Sequence, residues 1–291
     1  AAYALRAQGV QGPAALRGQV VHAALEDYVN MCASAGLARD TDLMDALIAK
    51  HVMGAFLPAK EKEYGVGLLR NFAQGYDLSP KPGFTYFQEH EMACLLYPED
   101  GVIVARHVDF WLLELLRAGH TKDNAGRDYA HPGGVLVVSR LDRAALDAKS
   151  GMVVVTDWKT NRAIKPASEV RYELQGRFYA VQAFAKTGAE QARVNVVYLN
   201  GLREVGFDMG PQEIADAVEE VYQLCVGASA LEEPGAEAEA KPGYACATCD
   251  VAHVCPASEE LVRRFRGAGS LAFRSGDYPL LKRAVEDLGK T

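Results

Sequence analysis

Apolar residues recur at helical spacing over residues 16–33, where Val20, Val21, Ala24, Leu25, Tyr28 and Val29 fall on one face. Leu43, Ala46, Leu47 and Val52 repeat the pattern and predict a helix over 41–56, with Pro58 just beyond its end. A third helix is expected over 66–76, followed by the loop Pro80-Lys81-Pro82-Gly83. The character then changes. Residues 84–96 and 102–116 are rich in β-branched, aromatic and aliphatic side chains and predict strands. Residues 118–134 are polar and glycine-bearing and predict a long loop or hairpin tip. Two more strands are expected over 135–145 and 152–158, joined by the turn-forming run Asp147-Ala148-Lys149-Ser150-Gly151. Helical spacing returns over 167–185 through Val170, Leu174, Phe178, Val181 and Phe184, with Gly188 placed to end that helix. A short buried strand over 194–199 and a helix over 211–226, opened by Pro211, complete the pattern. No repeat is visible. Helices, then strands, then helix–strand–helix indicate an α/β fold with a mixed sheet.

Composition narrows the picture little. Of 291 residues, 49% are hydrophobic and 24% charged, so a sizeable core can form without covalent staples. The formal net charge of −7 mildly opposes a polyanionic partner, but the placement of the positive groups decides that question. No run approaches the ~20 apolar residues of a membrane-spanning helix. The opening Ala1-Ala2-Tyr3 has no charged-then-apolar secretory layout, so a cytoplasmic location is expected and no membrane partner.

Candidate chemistry lies in Ser139-Arg140-Leu141-Asp142 and in Val153 to Thr160, which reads Val-Val-Val-Thr-Asp-Trp-Lys-Thr. Asp157 and Lys159 stand two apart, so on a strand they share a face. The turn between the strands brings Asp142 beside Asp157. Two carboxylates together are costly to bury unless a cation joins them, and a divalent ion with a taste for hard oxygen ligands suits that task. A lysine there can position water or meet the charge that develops on a phosphate. The bland alternative is a structural ion pair at a strand end.

The segment resembles the signature of the PD-(D/E)XK nucleases, and Asp157-Trp158-Lys159-Thr160 is similar to the Asp-aromatic-Lys-Thr form of the RecB-like branch. Arg17-Gly18-Gln19-Val20-Val21-His22, continuing to Leu25-Glu26, resembles that branch's N-terminal helix. Gln175-Gly176-Arg177-Phe178-Tyr179 resembles its Gln-x-x-x-Tyr helix. The resemblance spans roughly residues 16–256. It implies a restriction-endonuclease-like core, with a mixed central sheet flanked by helices and a C-terminal cysteine metal-binding segment. It also implies His22, Asp142 and Asp157 as ligands of Mg2+ or Mn2+, with the Trp158 backbone carbonyl joining them. Lys159 is then the catalytic lysine. Gln175 and Tyr179, one helical turn apart, border the active site against DNA. Glu26, one turn after His22, is expected to orient it.

Six cysteines are present, and Cys246, Cys249 and Cys255 crowd into ten residues. That spacing suits a thiolate-held metal. The resemblance to the iron–sulfur subset, akin to the CRISPR-adaptation exonucleases and AddB-type nuclease domains, implies a 4Fe–4S cluster on these three and a fourth ligand. No cysteine precedes His22 in this sequence, so the fourth ligand is Cys32, His253 or a residue outside it. With His253 the set suits zinc better. Cys94 and Cys225 read as small buried apolar residues. The expected domains are a nuclease domain over 1–230 with an N-terminal helical part, a linker over 231–241, and the cysteine cluster with a basic tail over 242–291.

The activity so implied is metal-dependent hydrolysis of DNA phosphodiesters, as an exonuclease preferring single strands, in repair, recombination or phage and CRISPR DNA processing. Arg162, Lys165, Arg171 and Arg177 are candidates to line a phosphate track. DNA is the expected partner, together with a helicase or recombination protein. No Gly-x-x-x-x-Gly-Lys-Ser/Thr motif is present, so a motor would sit on another chain or in a part outside this sequence. The competing readings are a non-catalytic nuclease-like DNA-binding or docking module braced by its metal site, and a zinc-containing nucleic-acid adaptor.

Overall fold

A computed structural model describes residues 13–230, except 89–90, 123–125, 127–128, 130 and 132. Residues 12–226 form one compact unit. Its first helix, α1 (Pro13–Ala35), carries the predicted apolar face, with Val21, Ala24, Leu25, Tyr28, Val29 and Cys32 all buried. Next comes α2 (Thr41–Leu47), capped by the Asp40 carboxylate accepting from the Leu43 amide at 2.9 Å. The expected single helix over 41–56 winds more loosely in its second half, as a π-helical stretch over Ile48–Met53. Then follows α3 (Ala59–Gly75), which starts seven residues before the apolar spacing predicts because its first turns are polar.

The central sheet has five strands in the order β1 (Phe84–Gln88), β5 (Arg143–Asp147), β6 (Met152–Lys159), β7 (Gln191–Tyr198) and β8 (Arg203–Met209). Only β6 and β7 run parallel, so the sheet is mixed. Between β1 and β5 in the chain, β2 (Glu91–Glu99), β3 (Val102–Val108) and β4 (Val135–Arg140) make a second, antiparallel sheet in the order β3-β2-β4. The helices that follow are α4 (Phe110–Arg117), α5 (Ala167–Val170), α6 (Leu174–Thr187) and α7 (Pro211–Ala230).

Alternation along β6 and β7 sorts their side chains onto two cores. Val153, Val155, Val194 and Val196 face α6 and α7, where the inner face of the second sheet joins them. Trp158, Val197 and Leu199 face α1, α2 and α3. β2 is buried on both faces, because its other side packs under α4. That explains its unbroken apolar run Met92 to Tyr97.

Several expectations are corrected. The single helix expected over 167–185 breaks at residues 171–173 into α5 and α6. Residues 102–116 do not form one strand: Asp109 caps α4 by accepting from the Leu112 amide at 2.8 Å, and Leu112, Leu113 and Leu116 then follow helical spacing. Residues 84–96 divide into β1 and β2, which belong to different sheets, and 135–145 likewise divide into β4 and β5. The strand β8 goes beyond the predicted elements, although Val205, Phe207 and Met209 alternate with polar neighbours. The expected cysteine segment lies outside the described residues. Among the described residues, no helix is long and apolar enough to cross a membrane.

Candidate active site

The site forms where β4, β5 and β6 end together. Arg143 pairs with Thr156 across β5 and β6. One step further along each chain stand Asp142 and Asp157. Asp142 lies in the bend between the two sheets. Its Oδ2 accepts the Trp158 backbone N–H at 2.6 Å, which fixes the carboxylate against the neighbouring strand. Its Oδ1 meets His22 Nδ1 at 3.1 Å, joining residues 120 positions apart.

His22 reaches that point because α1 rests directly on the end of β6. A Cβ on Gly18 would already touch Thr160 Oγ1 at 3.4 Å, and Arg17 Nη2 donates to the Thr160 carbonyl at 3.3 Å. Gly18 and His22 lie one helical turn apart, so the contact at one aims the other. Arg17 is buried and ion-paired with Glu61 of α3. Its role exceeds what its place in the motif suggests: it joins α1, α3 and the β6 terminus at a single charge.

On the opposite flank, α6 lies close over β7. A Cβ on Gly176 would come within 3.1 Å of Val194 Cγ1, so the absence of a side chain lets Gln175 and Tyr179 approach. Lys159 Nζ ion-pairs with Asp157 Oδ2 at 2.7 Å and donates to Gln175 Oε1; Gln175 Nε2 donates to the Tyr179 hydroxyl at 2.6 Å. The expected residues His22 and Asp142 therefore meet on one side, and Asp157, Lys159, Gln175 and Tyr179 form a continuous chain on the other. Trp158 is wholly buried on the far face, edge-on to Phe72 with ring centroids 5.2 Å apart.

Charge links the two halves. Asp157 is 4% exposed, and burial pushes its carboxyl up; the Asp142 charge adds to this, against the pull of Lys159 and His22. For His22, burial works against the imidazolium, but the Asp142 hydrogen bond and the charges of Asp142 and Asp157 outweigh it and hold the group above its ordinary value. Burial and the nearby Asp157 charge push the Tyr179 phenol up to about 12. It therefore keeps its proton at neutral pH and can donate a hydrogen bond through it.

Two carboxylates and an imidazole are donors suited to a hard divalent cation. Their lone pairs are here taken up by one another, by the Trp158 amide and by Lys159. Among the described residues, no three His, Cys, Asp or Glu side chains stand in a ready coordination arrangement.

Several expectations change. Glu26 does not orient His22; it meets Arg140 Nη2 at 3.2 Å. The four basic residues are not an open track, because Lys165, Arg171 and Arg177 each have an acidic partner in Glu173, Glu213 and Glu220. Arg162 differs. It lies over the Tyr64 ring at 4.5 Å and is only 3.6 Å from Glu61, which Arg17 already engages. Cys32 is buried in the helical core. Cys246, Cys249, His253 and Cys255 lie outside the described residues.

Gln182 carries a role the sequence reading does not assign. It is completely buried, its Nε2 donates to the Met92 and Val137 carbonyls at 3.1 and 3.3 Å, and its Oε1 accepts from Ser139. It ties α6 to the second sheet. The signal was present: Gln175, Tyr179 and Gln182 share one helical face.

The family model described as the PD-(D/E)XK nuclease superfamily matches residues 1–256. Among solved structures, the crystal structure of SSO0001 is similar over 86% of this chain and 88% of that one, at 11% identity and a TM-score of 0.28. No curated protein matches the chain.

Proposed function

Because the chain belongs to the PD-(D/E)XK nuclease superfamily, we propose that it is a metal-dependent deoxyribonuclease of the RecB-like branch that hydrolyses phosphodiesters at the end of β6, where α1 and α6 bring His22, Gln175 and Tyr179 to it. The observation that carries this reading is the meeting of His22 and Asp142, 120 residues apart, at the same strand end as Asp157 and Lys159. His22, Asp142 and Asp157 would hold Mg2+ or Mn2+, with the Trp158 carbonyl as a further ligand. The buried position of Asp157 beside a second carboxylate fits a site that needs a cation. When bound, the ion neutralises phosphate charge and acidifies a water.

The chain's own groups do the rest. Asp157 and Gln175 hold the Lys159 ammonium between them, so it is aimed without searching rotamers. From there it meets the charge that grows on the phosphoryl oxygens as water adds to phosphorus and the sugar oxygen leaves. Tyr179 accepts from Gln175 and, keeping its own proton, can donate a hydrogen bond to a phosphate oxygen.

Exonuclease action, single-strand preference and a place in repair, recombination or phage and CRISPR DNA processing rest on the resemblance to the RecB-like branch. So do a helicase or recombination partner, a 4Fe–4S or zinc site at Cys246, Cys249 and Cys255, and the division into a nuclease domain over 1–230, a linker and a cysteine-bearing tail. Iron and zinc analysis of the purified protein separates the two metal readings of the cysteines.

The activity test is digestion of end-labelled single-stranded DNA with Mg2+ or Mn2+, with EDTA as control. Asp157→Asn and Lys159→Ala should each lower the rate by at least about a hundredfold while melting normally. Cutting that survives in Asp157→Asn would defeat the site assignment. Wild-type protein that binds DNA and never cuts it would favour the non-catalytic module, for which the mutually bonded ligands are the supporting observation.

A further inference from the structure

The helix α3 has glycines at 65, 67 and 75. Interior glycines cost a helix roughly 1 kcal/mol each relative to alanine, so each calls for a reason. A Cβ at Gly65 would contact Val21 Cγ2 at 3.4 Å and Arg17 Cγ at 3.6 Å, so that glycine sets the α1–α3 approach. At Gly75 it would lie 2.4 Å from Leu202 Cδ1. At Gly67 it would meet nothing within 4 Å. No packing and no positive φ explains Gly67. What it does is leave room, because it lines a cleft of about 650 Å3 together with Lys60, Glu63, Tyr64, Asn71, Arg162 and Asn200.

The cleft is built from three places: the outer face of α3, the loop after β6 and the loop after β7. It therefore opens at the carboxyl ends of the two parallel strands, where open α/β sheets receive their ligands. Arg162 follows Lys159 by three residues, at most about 10 Å of extended chain. Its guanidinium rests on the Tyr64 ring at 4.5 Å; Glu61 holds Arg17 through Oε2 and reaches Arg162 through Oε1 at the longer distance of 3.6 Å. Lys60 adds a second cation on the rim. Asn71 and Asn200 bring amides that both donate and accept.

Building on the nuclease reading, we propose that this cleft is a flanking-nucleotide subsite, in which Lys60 and Arg162 take a backbone phosphate of the bound nucleic-acid strand while Asn71 and Asn200 meet the base or sugar edge over the floor left open by Gly67. Glu63, the wrong charge for a phosphate, suits an exocyclic base amine. The subsite gives the strand a grip beside the reacting phosphate. It also supplies a basic contact that is paired more loosely, at 3.6 Å, than Lys165, Arg171 and Arg177 are.

The experiment measures binding of a fluorescein-labelled, mixed-sequence single-stranded DNA oligonucleotide by anisotropy in EDTA, for wild type, Lys60→Gln/Arg162→Gln and Gly67→Met. The double variant should bind roughly tenfold more weakly, with the slope of log K against log salt shallower by about 0.7 per lost phosphate contact. Gly67→Met fills the cleft from its floor, so it should weaken binding while its melting temperature holds or rises, since the helix gains a better residue in open space. Cleavage by the same proteins in Mg2+ is read in parallel. If wild type cuts DNA and both variants bind like wild type, the subsite is overturned and the nuclease reading stands. If the variants bind weakly but wild type never cuts, the subsite holds and the nuclease chemistry falls. A wild type that neither binds nor cuts overturns both.

Discussion

Gln182 shows what one buried polar side chain does at the centre of this fold. With no exposure, it satisfies two carbonyls on β2 and β4 and takes the Ser139 hydroxyl. Gln182→Leu takes the donor from two buried carbonyls, at about 1 kcal/mol or more each, and the acceptor from the half-buried Ser139 hydroxyl. The expected loss is about 2–4 kcal/mol in a urea titration. A loss under about 1 kcal/mol would mean that other partners replace it. Asp27 is the contrasting surface case. It accepts from Lys50 Nζ at 2.6 Å and meets His51 Nε2 at 2.7 Å, and these bonds hold its carboxyl below the ordinary range. A depressed folded pKa adds stability that is present above the unfolded value and disappears as pH falls through the folded one. Asp27→Asn should therefore lower the melting temperature near neutral pH, by the equivalent of about 1 kcal/mol or less for so exposed a pair. At about pH 3 and below, variant and wild type should converge. A gap that widens on acidification contradicts this sign.

Among the elements, β7 and β8 carry a tight contact of the opposite kind to the open floor at Gly67. Gly206 sits opposite Asn195, and a Cβ there would fall 2.4 Å from Asn195 Oδ1 and 3.0 Å from the Val194 carbonyl. Asn195 can turn away, although Arg193 Nε holds it at 3.0 Å; the carbonyl moves only with its strand. Gly206→Ala should cost about 1–3 kcal/mol by thermal melting, and a neutral result would show that β8 can shift outward. The elements around the site were legible in part. Helical spacing marked α1 and most of α6, and an apolar run after a turn marked β6, but the bend at Asp142 that separates β4 from β5 left no mark in the apolar pattern. The same logic misled over residues 102–116. Short apolar runs suit strand and helix alike, and Asp109, the capping residue that separates β3 from α4, was the only local sign of the boundary.

At the scale of the whole molecule, a site with two carboxylates, one of them nearly inaccessible, would couple folding to cation binding if it holds the proposed ion. A ligand that binds only the native state adds RT ln(1 + [L]/Kd), about 2.7 kcal/mol at a hundredfold excess over Kd. Millimolar-range Mg2+ or Mn2+ should thus raise the wild-type melting temperature, EDTA should reverse the rise, and Asp142→Asn or Asp157→Asn should abolish it. A rise that persists in Asp157→Asn would place the cation elsewhere. What the sequence alone determined was the set of parts: the apolar periodicities, the Asp157–Lys159 spacing on one strand face, the Gly18–His22 and Gln175–Tyr179 helical turns. These are short-range, and backbone geometry dictates them. Only the tertiary structure decided that Asp142 accepts from both His22 and the Trp158 amide, that Glu26 turns to Arg140, and that Lys165, Arg171 and Arg177 are neutralised while Arg162 faces a cleft. Those outcomes depend on which charges meet across tens of residues, and chain spacing carries no information about them until the core has brought the elements together.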